Sequence, residues 1–388
     1  MNNGAALTPM KGEPEVIEKL INKMLFIDNL EKAFNKSQKG KSKYDKEAIE
    51  FALDETYNLL QLKADIIFKK YKFSGYINFT VYFPKERPIN APHYIDKIVQ
   101  LAMNNVLKEI YKPKFIYDSY ACIDGKGTHA CVKRTQYFMR KAKWEYGEDA
   151  FIVKIDVKQF FYTIVREILK QIIAQTIKEK ETYELMCLII DSADMIDILG
   201  MPLGNVLSQL CANIYLNAID QYAKRNLGLK YYIRYMDDIV IIVKNKERAK
   251  EVLELIRVKV ETELLLKLNK NKSKVFTLAQ GVNYIGFKIY PTHMLLRNES
   301  KRRIKQKLRK LKELMIEEKI TVGKVEQILN SWHGHAQQAN SYGFVQSLLQ
   351  RFDYIELIEV TRKGKKKKIF KVKRGVIEYA RRQKALSA

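Results

Sequence analysis

The run Tyr235-Met236-Asp237-Asp238 sets two carboxylates side by side between strand-like apolar segments, Tyr231–Arg234 before it and Ile239–Val243 after it. A tight turn between two strands presents such a pair at a hairpin tip. Adjacent carboxylates repel, and they are stable together only when cations neutralise them. Magnesium, a hard cation with oxygen ligands that is completed by substrate phosphates, suits the task. The plain alternative is an acidic turn, since Asp is common in turns. A further carboxylate, Asp156, follows the apolar run FIVKI (151–155) and precedes Val157-Lys158-Gln159-Phe160-Phe161. A carboxylate at the end of a buried strand is costly unless paired or metal-bound. As the third acid of a two-metal site it would help activate an attacking 3′-hydroxyl and stabilise a leaving pyrophosphate. Alone, it would be a strand-end cap.

A loop, Gly200-Met201-Pro202-Leu203-Gly204-Asn205-Val206-Leu207-Ser208-Gln209, runs into the apolar stretch LCANIYLNAID. Glycine there lets backbone approach a nucleotide closely. The elements that must position these groups can be read from periodicity. Helical spacing appears over 15–72, over Tyr94 to Val106 and over 209–225, and strands are predicted at 77–83, 151–155, in two runs over 231–243, and at 284–290. From Lys301 the stripe Ile304, Leu308, Leu311 and Met315 predicts an amphipathic helix whose other faces are strongly basic. The stretch Arg362 to Ala388 holds 12 Lys/Arg against one acid, Glu378.

Charge sets the partner class. The 388 residues include 70 Lys/Arg and 44 Asp/Glu, a net +26, which favours a polyanion. No apolar run is long enough to span a bilayer, and the N-terminal residues lack a secretory signal's apolar core. Four scattered cysteines, Cys122, Cys131, Cys187 and Cys211, make no CxxC pair, so no zinc ribbon is predicted and the expected location is cytoplasmic. His333 and His335, two apart beside Trp332, are expected to pack rather than bind metal.

In order, the segments PKERPI, SYACIDGKGTHACVKRT, the Asp156 strand, GMPLGNVLSQ, YMDD and LKLNKNKSK resemble a prokaryotic retroelement reverse transcriptase over about residues 30–350. The segments GVNYIGFKIYPTHMLLR (281–297) and SWHGHAQQANSY (331–342) narrow the likeness toward diversity-generating retroelements, with antiphage-defence enzymes also similar. The resemblance implies an α+β right-hand polymerase with fingers, a palm with an antiparallel sheet, and a helical thumb. The expected boundaries are fingers 1–150, palm 151–165, an insertion at 166–198, palm 199–290, thumb 291–360 and a basic tail 361–388.

The resemblance also assigns roles. Asp156, Asp237, Asp238 and the Val157 carbonyl match the ligands of two Mg2+ ions, with Mn2+ as a substitute. Phe161 matches the steric gate against a ribose 2′-hydroxyl. Lys85 and Arg87 match the residues that hold the triphosphate, and Gly204, Gln209 and Tyr235 line the nucleotide site. Lys272, one of a lysine cluster with Lys267, Lys270 and Lys274, matches the lysine that protonates pyrophosphate. Lys301, Arg302, Arg303 and Lys305 would grip the duplex backbone. Two departures stand out: Leu203 occupies the place before the glycine where Gln is usual, and Gln209 stands where Pro is usual. The implied partners are a template RNA and its RNA/DNA hybrid, dNTPs and a small basic accessory protein, with no membrane. The competing functions are an error-prone enzyme that diversifies a gene, a defence enzyme with a structured non-coding RNA, and a catalytically silent RNA-binding scaffold.

Overall fold

The structure is a computed structural model that describes residues 19–39, 45–82, 86–192, 199–362 and 365–386. Along the chain come helices α1 (Leu20–Met24), α2 (Ile27–Ser37), α3 (Lys46–Leu53) and α4 (Glu55–Ile67), the strands β1 (Tyr76–Val81) and β2 (Arg87–Pro92), and the long α5 (Tyr94–Tyr111). Helix α6 (Thr128–Tyr146) leads into β3 (Phe151–Asp156), followed by α7 (Phe160–Thr163), α8 (Arg166–Thr176), α9 (Lys180–Asp191) and α10 (Val206–Gln221). Then come β4 (Tyr231–Tyr235), β5 (Asp238–Val243), α11 (Lys246–Thr262), β6 (Lys274–Thr277), β7 (Val282–Tyr284), β8 (Phe287–Ile289) and β9 (Met294–Leu296). Helices α12 (Asn298–Ile316), α13 (Val322–Ala336) and α14 (Tyr342–Arg351), the hairpin β10 (Ile355–Arg362)–β11 (Lys365–Val372) and α15 (Arg374–Leu386) complete the described chain.

Two compact units divide these elements: residues 1–115, 159–218 and 264–266 form one, and 116–158, 219–263 and 267–388 the other. In the first, α5 supplies the core through Ile98, Leu101, Met103 and Leu107. Buried Asp96 on α5 accepts hydrogen bonds from the Tyr71 hydroxyl (2.7 Å) and the Ser74 amide (2.9 Å), which ties down the approach to the β1–β2 pair.

The second unit is built on a four-stranded antiparallel sheet, order β4-β5-β3-β6. Its central strands are buried along almost their whole length, which is why they read as apolar runs rather than alternating ones. Helix α6 packs against β4 and β5, and α11 against β3, β5 and β6. A three-stranded sheet, β7-β8-β9, joins the same core through Tyr284, Phe287 and Ile289. The single strand predicted at 284–290 is therefore corrected to two. Ile285 (φ 44°) and Gly286 (φ 86°) are both left-handed, the signature of a two-residue hairpin turn, and Tyr284 pairs with Phe287 across it.

Ile304, Leu308, Leu311 and Met315 are buried as their spacing predicts. What covers them includes Tyr354, Ile355, Phe370, Val372 and Ile377, so the stretch expected as a basic tail folds as a hairpin and a helix with their own share of a core. Period-2 apolar residues sit inside the lysine run, and the charge hid them. No described helix is long and apolar enough to cross a membrane.

Candidate active site

Register brings the acids together. In the antiparallel β3–β5 pair, Asp156 lies directly across from Asp238. Tyr235 and Asp238 pair across the β4–β5 turn, so Met236 and Asp237 form its tip, while Asp238 is already the first residue of β5. Met236 is left-handed (φ 54°), a conformation that costs an L-residue about 1–2 kcal/mol and must be imposed by its surroundings. The Asp237 carbonyl accepts the Val157 amide at 3.4 Å, which sets Val157 beside the tip.

A fully buried ion pair imposes that turn. Arg234 on β4 donates to Asp220 through Nε (2.7 Å to Oδ1) and Nη2 (2.6 Å to Oδ2), and through Nη1 to the Met236 carbonyl (3.2 Å). The Tyr232 hydroxyl also donates to Asp220 (2.6 Å). The bidentate geometry offsets the cost of burying both charges. An added edge segment, Asp118 to Tyr120, is fastened to the Arg234 backbone by two 3.0 Å hydrogen bonds.

Two lysines answer the carboxylates. Lys272 Nζ donates to both Asp156 oxygens at 3.0 Å, while half its side chain stays in solvent. Lys154, 9% exposed on β3, donates to the Asn283 carbonyl (2.7 Å) and lies 3.3 Å from Asp238 Oδ1. That approach is close enough for charge attraction but is not aimed as a hydrogen bond, and Oδ1 is buried with no hydrogen-bond partner. Burial first, and then the charges of Asp156 and Asp237, push the Asp238 carboxyl up to about 6 against the opposing pull of Lys154. Ser273 Oγ accepts the Asp156 amide (3.1 Å), and the Tyr284 hydroxyl donates to the Asp238 carbonyl (3.1 Å).

Among the described residues no three His, Cys, Asp or Glu side chains are arranged around one cation position. The backbone register sets Asp156 across from Asp238, and in the present arrangement Lys272 meets Asp156 while Lys154 lies near Asp238. Carboxylates this close need positive charge, and lysine supplies it here. The residues still fit a divalent cation, because three acids face two lysines and a buried Asp238 oxygen has no hydrogen bond.

In the other unit, Phe161 is half-buried on α7, next to fully packed Phe160, and its carbonyl accepts the Met201 amide (2.7 Å). The Gly200–Asn205 loop lies on β2, the strand that opens with exposed Arg87: the Asn90 amide donates to the Leu203 carbonyl at 2.6 Å. Gly204 has φ +117°, and a Cβ there would stand 2.8 Å from the Asn90 carbonyl oxygen, so only glycine fits. Gln209 is exposed on α10, and Tyr235 is half-buried with its hydroxyl 3.3 Å from Thr128 Oγ1. Lys85 lies outside the described residues. On α12, Lys301 and Lys305 sit over the Phe344 ring at 5.6 and 5.4 Å, and Arg302 is exposed beside half-buried Arg303. His333 packs edge-on to Phe370, and His335 lies against Phe287.

Sequence reasoning missed Lys154, Asn283, Ser273, Tyr284 and the Arg234–Asp220 pair. For Lys154 a signal existed: two residues before Asp156 on an apolar strand, it must share the acid's face. Arg234 in YYIRY is likewise a charge inside a buried strand. Nothing in the sequence singles out Asp220 as its partner.

A family profile described as reverse transcriptase (RNA-dependent DNA polymerase) matches residues 80–289, more than half of the chain. Protein YkfC of Escherichia coli (strain K12) is 26% identical over 264 residues, covering 57% of this chain and 67% of YkfC. The group II intron-encoded protein LtrA of Lactococcus lactis subsp. cremoris is 22% identical over 273 residues, 53% of this chain and 44% of LtrA, so the match spans less than half of that relative. Among solved structures, telomerase from Candida tropicalis bound to a fragment of telomeric RNA aligns with TM-score 0.43 and 12% identity, over 75% of this chain and 58% of that one. The profile match over residues 80–289, more than half of the chain and spanning the three acids, makes the chain a member of the reverse transcriptase (RNA-dependent DNA polymerase) family, with its α+β right-hand polymerase fold.

Proposed function

We propose that this chain copies an RNA template into DNA by adding dNTPs to a primer 3′-hydroxyl. The observation that carries the reading is Asp156 paired in register with Asp238, with Asp237 at the adjoining turn, in a chain of this family. Two magnesium ions, held by Asp156, Asp237, Asp238 and the Val157 carbonyl, would activate the hydroxyl and neutralise the leaving pyrophosphate. The protein's own groups do the rest. Lys272, which here neutralises Asp156, is the proton source for the leaving group, and its half-exposed ammonium suits exchange with solvent. Lys154, anchored on the Asn283 carbonyl, keeps a fixed positive charge beside Asp238. From the family resemblance, Phe161 excludes a ribose 2′-hydroxyl, Arg87 and Lys85 hold the triphosphate, and Lys301, Arg302, Arg303 and Lys305 track the hybrid backbone. The names fingers, palm and thumb for 1–150 with 166–198, for 151–165 with 199–290, and for 291–360 belong to the same proposal, as does a basic accessory partner.

The finer reading is the error-prone enzyme of a diversity-generating retroelement, favoured by the segments at 281–297 and 331–342 and by Leu203 and Gln209 in the nucleotide loop. The defence reading shares all the chemistry. Sequencing the cDNA separates them: substitutions concentrated at template adenines mark the first, and a faithful copy of a structured RNA marks the second. Asp237→Ala tests the common chemistry. Synthesis should vanish while RNA affinity stays within a few-fold, and retained synthesis would refute the metal-site assignment and return weight to the scaffold reading.

A further inference from the structure

Helix α6 covers the catalytic sheet with Cys131, Val132, Phe138, Met139 and Ala142. Its opposite face carries a feature that the fold does not use. Trp144 is 84% exposed and Tyr137 41%, and Tyr117, from the segment that precedes the helix, is 70% exposed. Cations are interleaved with these rings. Arg134 lies 5.4 Å from the Tyr117 ring centre and 5.3 Å from that of Tyr137, and Lys141 lies 6.0 Å from Tyr137 and 5.9 Å from Trp144. Asp118 fixes the Arg134 guanidinium (Nε to Oδ1, 2.9 Å), so the ladder is pre-positioned. From Gly125 to Trp144 there is no acidic residue, while Lys133, Arg140 and Lys143 add positive charge.

An exposed ring is costly in water, and three in one stripe mark an interaction surface. Rings alternating with cations, of which Arg134 is paired with Asp118, are complementary to a strand whose unpaired bases stack and whose phosphates need counter-charge. Trp144, with Lys141 nearby and most of its ring in solvent, is the member of the stripe best placed to stack on a base. Tyr137 and Trp144 are seven residues apart, about 10 Å along the helix axis, with Lys141 between them. Duplex RNA does not fit the description, because its bases are already stacked.

We propose that the Tyr117–Arg134–Tyr137–Lys141–Trp144 stripe binds single-stranded RNA, as a contact separate from the one made at the three aspartates. Only the choice of RNA as the polyanion rests on the proposed function; the surface itself does not. A long template thereby gains an anchor on the enzyme that a short oligonucleotide at the aspartates does not use.

The test uses the full chain saturated with an RNA/DNA primer–template, so that the catalytic contact is occupied. A labelled single-stranded oligouridylate is then titrated, with anisotropy and tryptophan fluorescence as readouts. Trp144 emission should be quenched on binding, and that quench should disappear in Trp144→Phe, which keeps a stacking face and near-normal affinity. Tyr137→Ala/Trp144→Ala should weaken binding by about 10-fold or more. Lys141→Ala should lower the slope of log affinity against log salt by about 0.7. Extension of the short primer–template should be unchanged in all of these variants. Absence of the quench, or full oligouridylate affinity in the double variant, overturns the proposal. So does a double variant that keeps RNA affinity but sheds a co-purifying protein, which would make the stripe a protein-docking face. If the wild-type protein fails to extend the primer yet shows the quench, the polymerase reading falls and the stripe stands.

Discussion

Asp238 concentrates the tension of the site in one side chain. Its carboxyl is held near pKa 6 because burial and two neighbouring acids oppose its charge more than Lys154 favours it. The folded state therefore binds this proton more tightly than the unfolded chain, whose Asp titrates near 4. For such an acid, stability is greatest at low pH and falls as pH rises from about 4 to about 6, where the ionised form becomes fully costly. In chelator, Asp238→Asn should gain on the wild-type protein across that window, reaching on the order of 1–3 kcal/mol by pH 7 in urea melts, while DNA synthesis is lost. A stability difference that stays flat from pH 4 to pH 7 would show that Asp238 does not titrate there. The same side chain that costs stability without a cation is the one with an unsatisfied oxygen for a cation to fill. Lys154 was within reach of sequence reasoning, since alternation alone puts it on the Asp156 face. That it also meets the Asn283 carbonyl, 129 residues on, was not.

The β4–β5 hairpin is legible in the sequence as an element, and its boundaries fall where the apolar runs place them. Its cause is not legible. A left-handed Met at the tip is unfavourable, and no turn-forming Gly or Asn occupies that place. Arg234 compensates by grasping Asp220 and the Met236 carbonyl at once. Asp220→Ala leaves a buried guanidinium without its counter-charge and should cost about 3–5 kcal/mol in chemical denaturation. Because the same arginine holds the turn, synthesis by the folded fraction of that variant should fall as well. An unchanged midpoint would mean that the pair contributes nothing to the hairpin. The 284–290 run failed as a single strand for a related reason: five of its seven residues are aromatic or β-branched and suit a strand, and the left-handed pair Ile285-Gly286 breaks it into a second hairpin.

At the scale of the whole molecule, the C-terminal segment shows how charge can conceal a fold. Lys365 to Lys368 dominate the composition, yet the β10–β11 pairing runs through eight residue pairs and delivers Phe370 and Val372 to the core beneath α12. Asn330 receives the Phe370 amide (2.8 Å) and donates to its carbonyl (3.0 Å). Arg381 donates to the Met315 carbonyl at the C-terminal end of α12 (2.6 Å), satisfying a group that the helix itself cannot. Removing residues 355–388 should therefore lower the melting temperature sharply and expose apolar surface to a hydrophobic dye. A solvated tail would be lost with no change in melting.

The sequence by itself determined the family and where three acids would meet, because both are written in short-range terms: two acids in one turn, a third at the end of an apolar strand, and a fixed order of motifs. It also determined most helices and strands, since their periodicities are local. The tertiary structure alone decided which charges neutralise which acids. Lys272 reaches Asp156 across 116 residues, Lys154 reaches Asn283 across 129, and Asn330 meets Phe370 across 40. Those partnerships follow from strand register and helix packing within one unit, which bring together residues far apart in the chain, and no local pattern of residue types encodes them.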